Sequence, residues 1–319
     1  MNIIIVGAGQ LGSRHLQGIL SSPPLEQRCI TVVDISEPSL KLCEERANEI
    51  DYDNQLTSIS YNRELPQNKD FDIAIMSTSA AVRASLTKVL LEKNAVQCVI
   101  FEKVLFQSIN EYDEVSALLK SKGVDAYVNC PRRYYDHYRE LAGKVNRSMS
   151  PLNMKVVGNN WGLACNGIHF LDLFSYLCES NIIQVESELS QEIIESKRSG
   201  YKEVMGSLSF TSENGDRLVL ECTDDATTSL QASYLFDSEL INVDELSCCI
   251  YEHDNRISVY EPIFQSHLTG AYIKEFEQTG KLSLTNFEES NSLHKLFINV
   301  LLEHFVKNGL ANDKVCPIT

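Results

Sequence analysis

Apolar residues along this chain recur with two different periods, and the change between them falls near residue 130. Up to that point short β-branched runs alternate with amphipathic stretches. The runs "NIIIV" (2–6), "CITVVDIS" (29–36), "FDIAIMST" (71–78), "VQCVIFEK" (96–103) and "VDAYVN" (124–129) have the near-continuous apolar character of strands buried on both faces. Between them, Leu40, Cys43, Ala47 and Ile50 follow helical spacing, as do Val82, Leu86, Val89 and Leu90, and Ser108 with Glu111 forms a capping box that opens a further helix. Strands alternating with helices at these lengths predict a doubly wound parallel sheet over residues 1–128.

Residues 129–319 read differently. Val204, Leu208 and Phe210 alternate with polar neighbours, Asn214-Gly215 supplies a turn, and Leu218, Leu220 and Cys222 alternate again, which is a hairpin signature. Leu230, Ala232, Tyr234 and Phe236 continue the period of two, as in a sheet with one covered and one open face. The stretch 289–309 is helical in pattern, ends at Gly309, and is expected to pack across the body. Its His294 and His304 read as ordinary helix residues. The expectation is an α/β protein of two domains, with an α/β second domain at 129–319.

Composition narrows the partners. With 43% hydrophobic residues among 319, the chain has material for two packed cores. Twenty-eight Lys and Arg against 44 Asp and Glu leave a net charge of −16, which argues against a sequence-independent grip on nucleic acid or an anionic membrane and favours a small-molecule ligand. Ten cysteines lie without a CxxC pair, and Cys248 and Cys249 point to opposite faces if they share a strand, so no metal site or disulfide framework is expected. The start has no charged leader and no apolar run approaches about 18 residues, so a cytoplasmic location is expected.

Two motifs carry candidate chemistry. The first strand runs into "GAGQLG", placing Gly7, Gly9 and Gly12 in the dinucleotide-binding spacing with Gln10 and Leu11 between them. The glycines allow a tight turn, close approach of a pyrophosphate to the helix N-terminus, and tight packing of helix on strand. Asp34, 22 residues beyond Gly12, stands where an acid meets the adenine ribose hydroxyls, which favours NAD over NADP. The second motif is "GLACNGIHFLDLFSYL" (162–177), where His169 and Asp172 share a helix face. They can present a proton-transfer group and its orienting carboxylate, or be a core histidine tied to an acid.

A dinucleotide fingerprint followed by Gly12-x-x-His15, then "FEKV" (101–104), "PRRYY" (131–135) and "NGIHFLDL" (166–173), resembles the glucose-fructose oxidoreductase/inositol dehydrogenase/MocA family over nearly the whole chain. The resemblance implies a Rossmann domain joined to an α/β domain with an open, mostly antiparallel sheet, and a homo-oligomer. It implies hydride transfer between NAD and a hydroxyl or keto carbon of a sugar, polyol or sugar derivative, nucleotide-linked or carboxylated sugars included because Arg132 and Arg133 suit an anion. Lys103 and His169 are then the catalytic pair, with Asp172, Asn166, Arg133 and Tyr134 on the substrate. Thr78, Glu102 and Arg132 join the fingerprint residues at the cofactor, although Arg132, Arg133 and Tyr134 also read as a solvated helix start. The alternative is a catalytically silent NAD-binding sensor on the same fold.

The sequence departs from the family pattern at three places. Val104 replaces the proline of a Glu-Lys-Pro signature, Thr78-Ser79 with Arg83 replaces a Thr-Pro followed by a histidine, and Cys165 replaces an aspartate four residues before His169. A neutral thiol at Cys165 predicts that His169 ionises at lower pH than in relatives carrying the aspartate, and that Cys165→Asp raises it.

Overall fold

A computed structural model describes residues 1–253, 255–311 and 314–319. In chain order the first elements are β1 (Asn2–Val6), α1 (Gln10–Leu20), β2 (Arg28–Val33), α2 (Glu37–Ala47), β3 (Thr57–Asn62), β4 (Asp70–Met76), α3 (Ala80–Lys93), β5 (Ala95–Phe101), α4 (Ile109–Lys122) and β6 (Asp125–Val128). A 3₁₀ turn at Pro131–Tyr134 leads into α5 (Asp136–Val145), β7 (Asn153–Asn159), α6 (Leu163–Cys178) and β8 (Ile182–Glu195). Then follow β9 (Lys202–Ser212), β10 (Arg217–Thr223), β11 (Gln231–Phe236), β12 (Glu239–Asp244), β13 (Cys249–Glu252), β14 (Asn255–Val259), α7 (Gln265–Thr279), β15 (Thr285–Asn286) and α8 (Phe287–Lys307).

The chain forms two compact units. The first comprises residues 1–106, 110–129 and 263–291, and the second residues 107–109, 130–262 and 292–319. A single cut after residue 128 therefore misplaces residues 263–291, which return to the first unit. The physical reason is the close seating of α7 on α1. A Cβ on Gly18 would lie 2.9 Å from Thr269 Cβ, and one on Gly270 would lie 2.6 Å from the Gly18 carbonyl. Arg28, which is 1% exposed, adds an ion pair to Glu277 at 2.9 Å.

The first unit holds a sheet of order β15-β6-β5-β4-β1-β2-β3, parallel except for the short antiparallel edge β15. Ile3, Ile4 and Ile5 are fully buried at its centre, as continuous β-branched runs covered on both faces require. The chain reverses direction across the sheet between β1 and β4, so the crevice at their carboxyl ends is the place where doubly wound folds bind ligands. Ser36 caps α2 by accepting from the Ser39 N–H, and Pro38 suits its first turn.

α3 turns a different face inward from the expected stripe. Ala80, Arg83, Ala84, Thr87, Leu90 and Leu91 are buried, whereas Val82 is 44% exposed. An arginine takes the inward face because backbone carbonyls receive its guanidinium.

The second unit holds a sheet of order β14-β13-β12-β11-β7-β10-β9-β8, antiparallel in every pairing but β7 with β10. The expected hairpin is β9 and β10, with Leu208 opposite Leu220 and Phe210 opposite Leu218. α6 covers one face, and Gly167 lies so near α8 that a Cβ there would come within 2.9 Å of the Phe297 ring. Cys248 precedes β13 in a left-handed conformation, so it and Cys249 do not share a strand.

Candidate active site

The first unit gathers the fingerprint at the carboxyl end of its sheet. Gly7 adopts φ +101°, and a Cβ there would lie 2.9 Å from the Ser77 carbonyl carbon. A Cβ on Gly12 would meet the Gly7 carbonyl oxygen at 1.8 Å, so only glycine lets α1 start this close to β1. Gly9 is the opposite case. A Cβ there would touch nothing within 4 Å, and Gly9 caps α1 without a side-chain hydrogen bond. That bare cradle fits a pyrophosphate. Asp34, just past β2, accepts from the Ala8 N–H and the Ser36 N–H, each at 2.8 Å, so the acid meant for the ribose also braces the glycine loop. Exposed Gln10 is held by Arg46 of α2 at 2.6 Å, Leu11 is half-buried on the first turn of α1, and Thr78 follows β4 across the crevice.

Glu102 and Lys103 leave β5 at the same edge of the sheet. Glu102, expected at the cofactor, turns its carboxylate into the unit: Oε1 accepts from Asn129 Nδ2 at 2.5 Å and lies 2.8 Å from His15 Nε2. His15 Nδ1 in turn lies 2.9 Å from Thr269 Oγ1, and Tyr272 donates to Asn129 Oδ1 at 3.0 Å. Burial alone would raise the Glu102 pKa, but the His15 and Asn129 hydrogen bonds and the charges of His15 and Arg83 outweigh it, and the net shift is downward. The effect is to pin the end of β5 to α1 and α7. Lys103 beside it is half-buried, and the Lys103–Val104 peptide is cis. Arg83, in sequence only a departure from the family pattern, donates to the carbonyls of Glu102, Val104, Leu105 and Thr78.

In the second unit, α6 carries Asn166, His169 and Asp172. It begins after Gly162, which has φ +82° and no side chain to cap the helix. Glu203 of β9 does so instead, accepting from the Ala164 N–H at 2.8 Å and the Cys165 N–H at 3.2 Å. The carboxylate missing at position 165 is thus supplied at the helix N-terminus from another strand, which no local motif reveals. Cys165 is 8% exposed, its Sγ is 3.8 Å from Ser196 Oγ, and burial followed by Glu203 pushes its pKa up to about 11. An aspartate there would meet Glu203, and the same burial and like charge would favour its neutral form, so Cys165→Asp is no simple way to charge His169.

Asp172 is 1% exposed and forms a two-pronged ion pair with Arg133, Nε to Oδ2 at 3.0 Å and Nη2 to Oδ1 at 3.2 Å. The carboxylate expected on substrate is therefore engaged by the arginine expected there too. Arg132 pairs with Glu245 at 2.8 Å and stacks 4.1 Å above the Phe170 ring. Both guanidiniums are matched by internal carboxylates, which corrects the picture of a solvated helix start and of two arginines open to an anion. Tyr134 lies under Arg139 at 5.2 Å. Asn166 donates to the Trp161 carbonyl at 3.0 Å, closing the first turn of α6, and His169 is half-buried. Among the described residues no cluster of metal-ligating side chains occurs, all ten cysteines are free thiols, and no helix is long and apolar enough to cross a membrane.

A glycine cradle at a helix N-terminus, an acid at the end of the neighbouring strand and a sheet reversing at that point define a dinucleotide-binding domain of the Rossmann class. Residues 1–130 match the Gfo/Idh/MocA model, described as an oxidoreductase family with an NAD-binding Rossmann fold; this N-terminal domain belongs to that family, and its cofactor is NAD. The uncharacterized oxidoreductase YrbE of Bacillus subtilis (strain 168) is 26% identical over 251 residues, which cover 74% of this chain and 69% of that protein. The scyllo-inositol dehydrogenase of Lactobacillus casei, solved with NAD(H) and scyllo-inositol, superposes with a TM-score of 0.66 at 13% identity, covering 97% of each chain. The UDP-N-acetylglucosamine 3-dehydrogenase of Acidithiobacillus ferrooxidans gives 0.65 at 13% identity, covering 94% of this chain and 96% of that one. At such identities the likeness to these two is one of fold.

Proposed function

We propose that the protein transfers a hydride between NAD and the carbinol carbon of an uncharged sugar or polyol. The observation that carries this reading is the lysine at the end of β5, held on the same edge of the sheet as the glycine cradle. NAD, when bound, supplies the hydride acceptor or donor. Taking a hydride from a carbinol requires a base within about 2.6–3.2 Å of the hydroxyl and a group that stabilises the developing oxyanion. Lys103 and His169 serve these two roles, and the Arg133–Asp172 pair fixes the helix that presents His169. The preference for an uncharged substrate rests on Arg132 and Arg133, whose charges are already balanced by Glu245 and Asp172. A nucleotide-linked or carboxylated sugar would need a cation that these two residues do not offer.

The test is a panel of inositols, aldoses, uronates and nucleotide sugars incubated with protein and NAD while reduced nicotinamide is followed at 340 nm. Turnover of a neutral polyol supports the reading. Turnover confined to uronates or nucleotide sugars overturns the substrate class, and tight NAD binding without turnover on any of them favours a sensor.

A further inference from the structure

Arg83 is 2% exposed on the inward face of α3, a helix whose other buried residues are small or aliphatic. Its Nη1 donates to the Glu102 carbonyl at 2.7 Å, the Leu105 carbonyl at 2.9 Å and the Val104 carbonyl, and its Nη2 to the Thr78 carbonyl. The acceptors bracket Lys103, with one carbonyl before it and two after, and the fourth belongs to the segment leaving β4. A planar guanidinium with five donors in a fixed fork serves several carbonyls at once, which an ammonium on a flexible stem does not. Burying such a charge is costly unless acceptors receive it, so the bonds from Nη1 and Nη2 hold the group and the loop in one arrangement.

The same loop lacks a restraint. Residue 104 is valine where the related signature has proline, whose ring would fix φ near −65°. We propose that Arg83 is a positioning residue for Lys103, holding by side-chain hydrogen bonds the backbone that a proline at position 104 would otherwise stiffen. The two departures from the family pattern, at positions 83 and 104, are then one device: where the proline is absent, the helix facing the loop supplies a guanidinium. The proposal rests on the reading of Lys103 as a proton-transfer residue. It predicts that Arg83 and Val104 are energetically coupled although the contact is to backbone, and that proline at 104 makes Arg83 dispensable.

The experiment compares wild type, Arg83→Lys, Val104→Pro and the double variant, with Arg83→His run in parallel should the lysine variant fold poorly. Two readouts need no substrate: hydrogen exchange of amides 102–106, and the rate at which an acylating reagent modifies Lys103 relative to exposed lysines elsewhere in the chain. Arg83→Lys should raise exchange in that segment by about tenfold and change the Lys103 rate by about threefold or more, and adding Val104→Pro should restore both. Where the polyol panel has yielded a substrate, kcat should fall about tenfold or more in Arg83→Lys, with KM and NAD affinity within about twofold, and should recover in the double variant. Unchanged exchange and labelling in Arg83→Lys, or losses that Val104→Pro leaves uncorrected, overturn the proposal. Absence of any turnover in wild type refutes the polyol reading alone, since exchange and labelling still decide the role of Arg83.

Discussion

Arg133 grips the buried carboxylate of Asp172 with two nitrogens, at 3.0 and 3.2 Å, and stacks 5.1 Å above Tyr176 one turn further along α6. Its neighbour Arg132 reaches the same helix from the other side of His169, over Phe170. Two consecutive arginines thus clamp the helix that bears the candidate catalytic histidine. The pair is a positioning device before it is a binding one, and its energetics follow from burial.

Arg133→Met leaves Asp172 buried without its cation. Breaking a buried pair from one side costs about 3–5 kcal/mol, so urea unfolding should show a loss in that range. A loss under about 0.5 kcal/mol would mean that Asp172 finds other partners or water.

Asp34 accepts two backbone N–H groups just past β2, where the fingerprint expects the acid that meets the ribose, and a 2′-phosphate there would meet its charge. NAD(H) should bind at least about tenfold more tightly than NADP(H), and Asp34→Ser should narrow the gap while weakening NAD through a looser glycine loop. Calorimetry with both cofactors checks this; equal affinities in wild type would remove Asp34 from the ribose.

Lys103→Met keeps the length of the stem and removes the amine. With a substrate from the panel, kcat should drop by about 10²–10⁴ while NAD affinity stays within about twofold. A variant retaining most of its turnover excludes Lys103 from proton transfer.

Glu203→Gln should cost about 1 kcal/mol as the anionic cap of α6 is lost, and Cys165→Asp should lower the melting temperature because two carboxylates would share one helix end. In Cys165→Asp the acidic limb of the pH profile of kcat/KM should stay where it is in wild type. An upward shift of that limb would restore the direct influence of residue 165 on His169.

Burial among Tyr138 and Tyr260, reinforced by Arg132 and opposed by Glu245, pushes His137 down to about 4. Between that value and the ordinary histidine pKa near 6.5 the unfolded chain binds the extra proton. The contribution is therefore fully present above about pH 6.5 and lost progressively as pH falls toward 4. Glu102 and Glu245 are both lowered, so theirs persists until pH drops below about 4.5. Urea melts at pH 7.5, 5.5 and 4.5 should show a decline that flattens in His137→Phe. An equal slope in the variant would place the linkage elsewhere.

The sequence by itself determined what depends on local spacing. Continuous β-branched runs dictate strands buried on both faces, Gly7, Gly9 and Gly12 dictate a loop in which no side chain fits beside β1 and none obstructs α1, and Asn214-Gly215 dictates the turn between β9 and β10. The resemblance added Lys103 and His169 as ordered motifs along the chain. Only the tertiary structure decided how the polar groups are paired. Asp172 is joined to Arg133 across 39 residues, Glu102 to His15 across 87, and Glu203 reaches back 38 residues to cap α6 at Cys165. Periodicity also put Val82 on the inward face of α3 and left Arg83 out of it, because a hydrophobic pattern counts apolar side chains and is blind to carbonyls on a neighbouring loop. Residues 263–291 join the first unit for a related reason: the match of Gly18 to Gly270 is a contact between two helix surfaces about 250 residues apart, and a buried polar or small residue finds its partner by shape and charge in space, which no window along the chain contains.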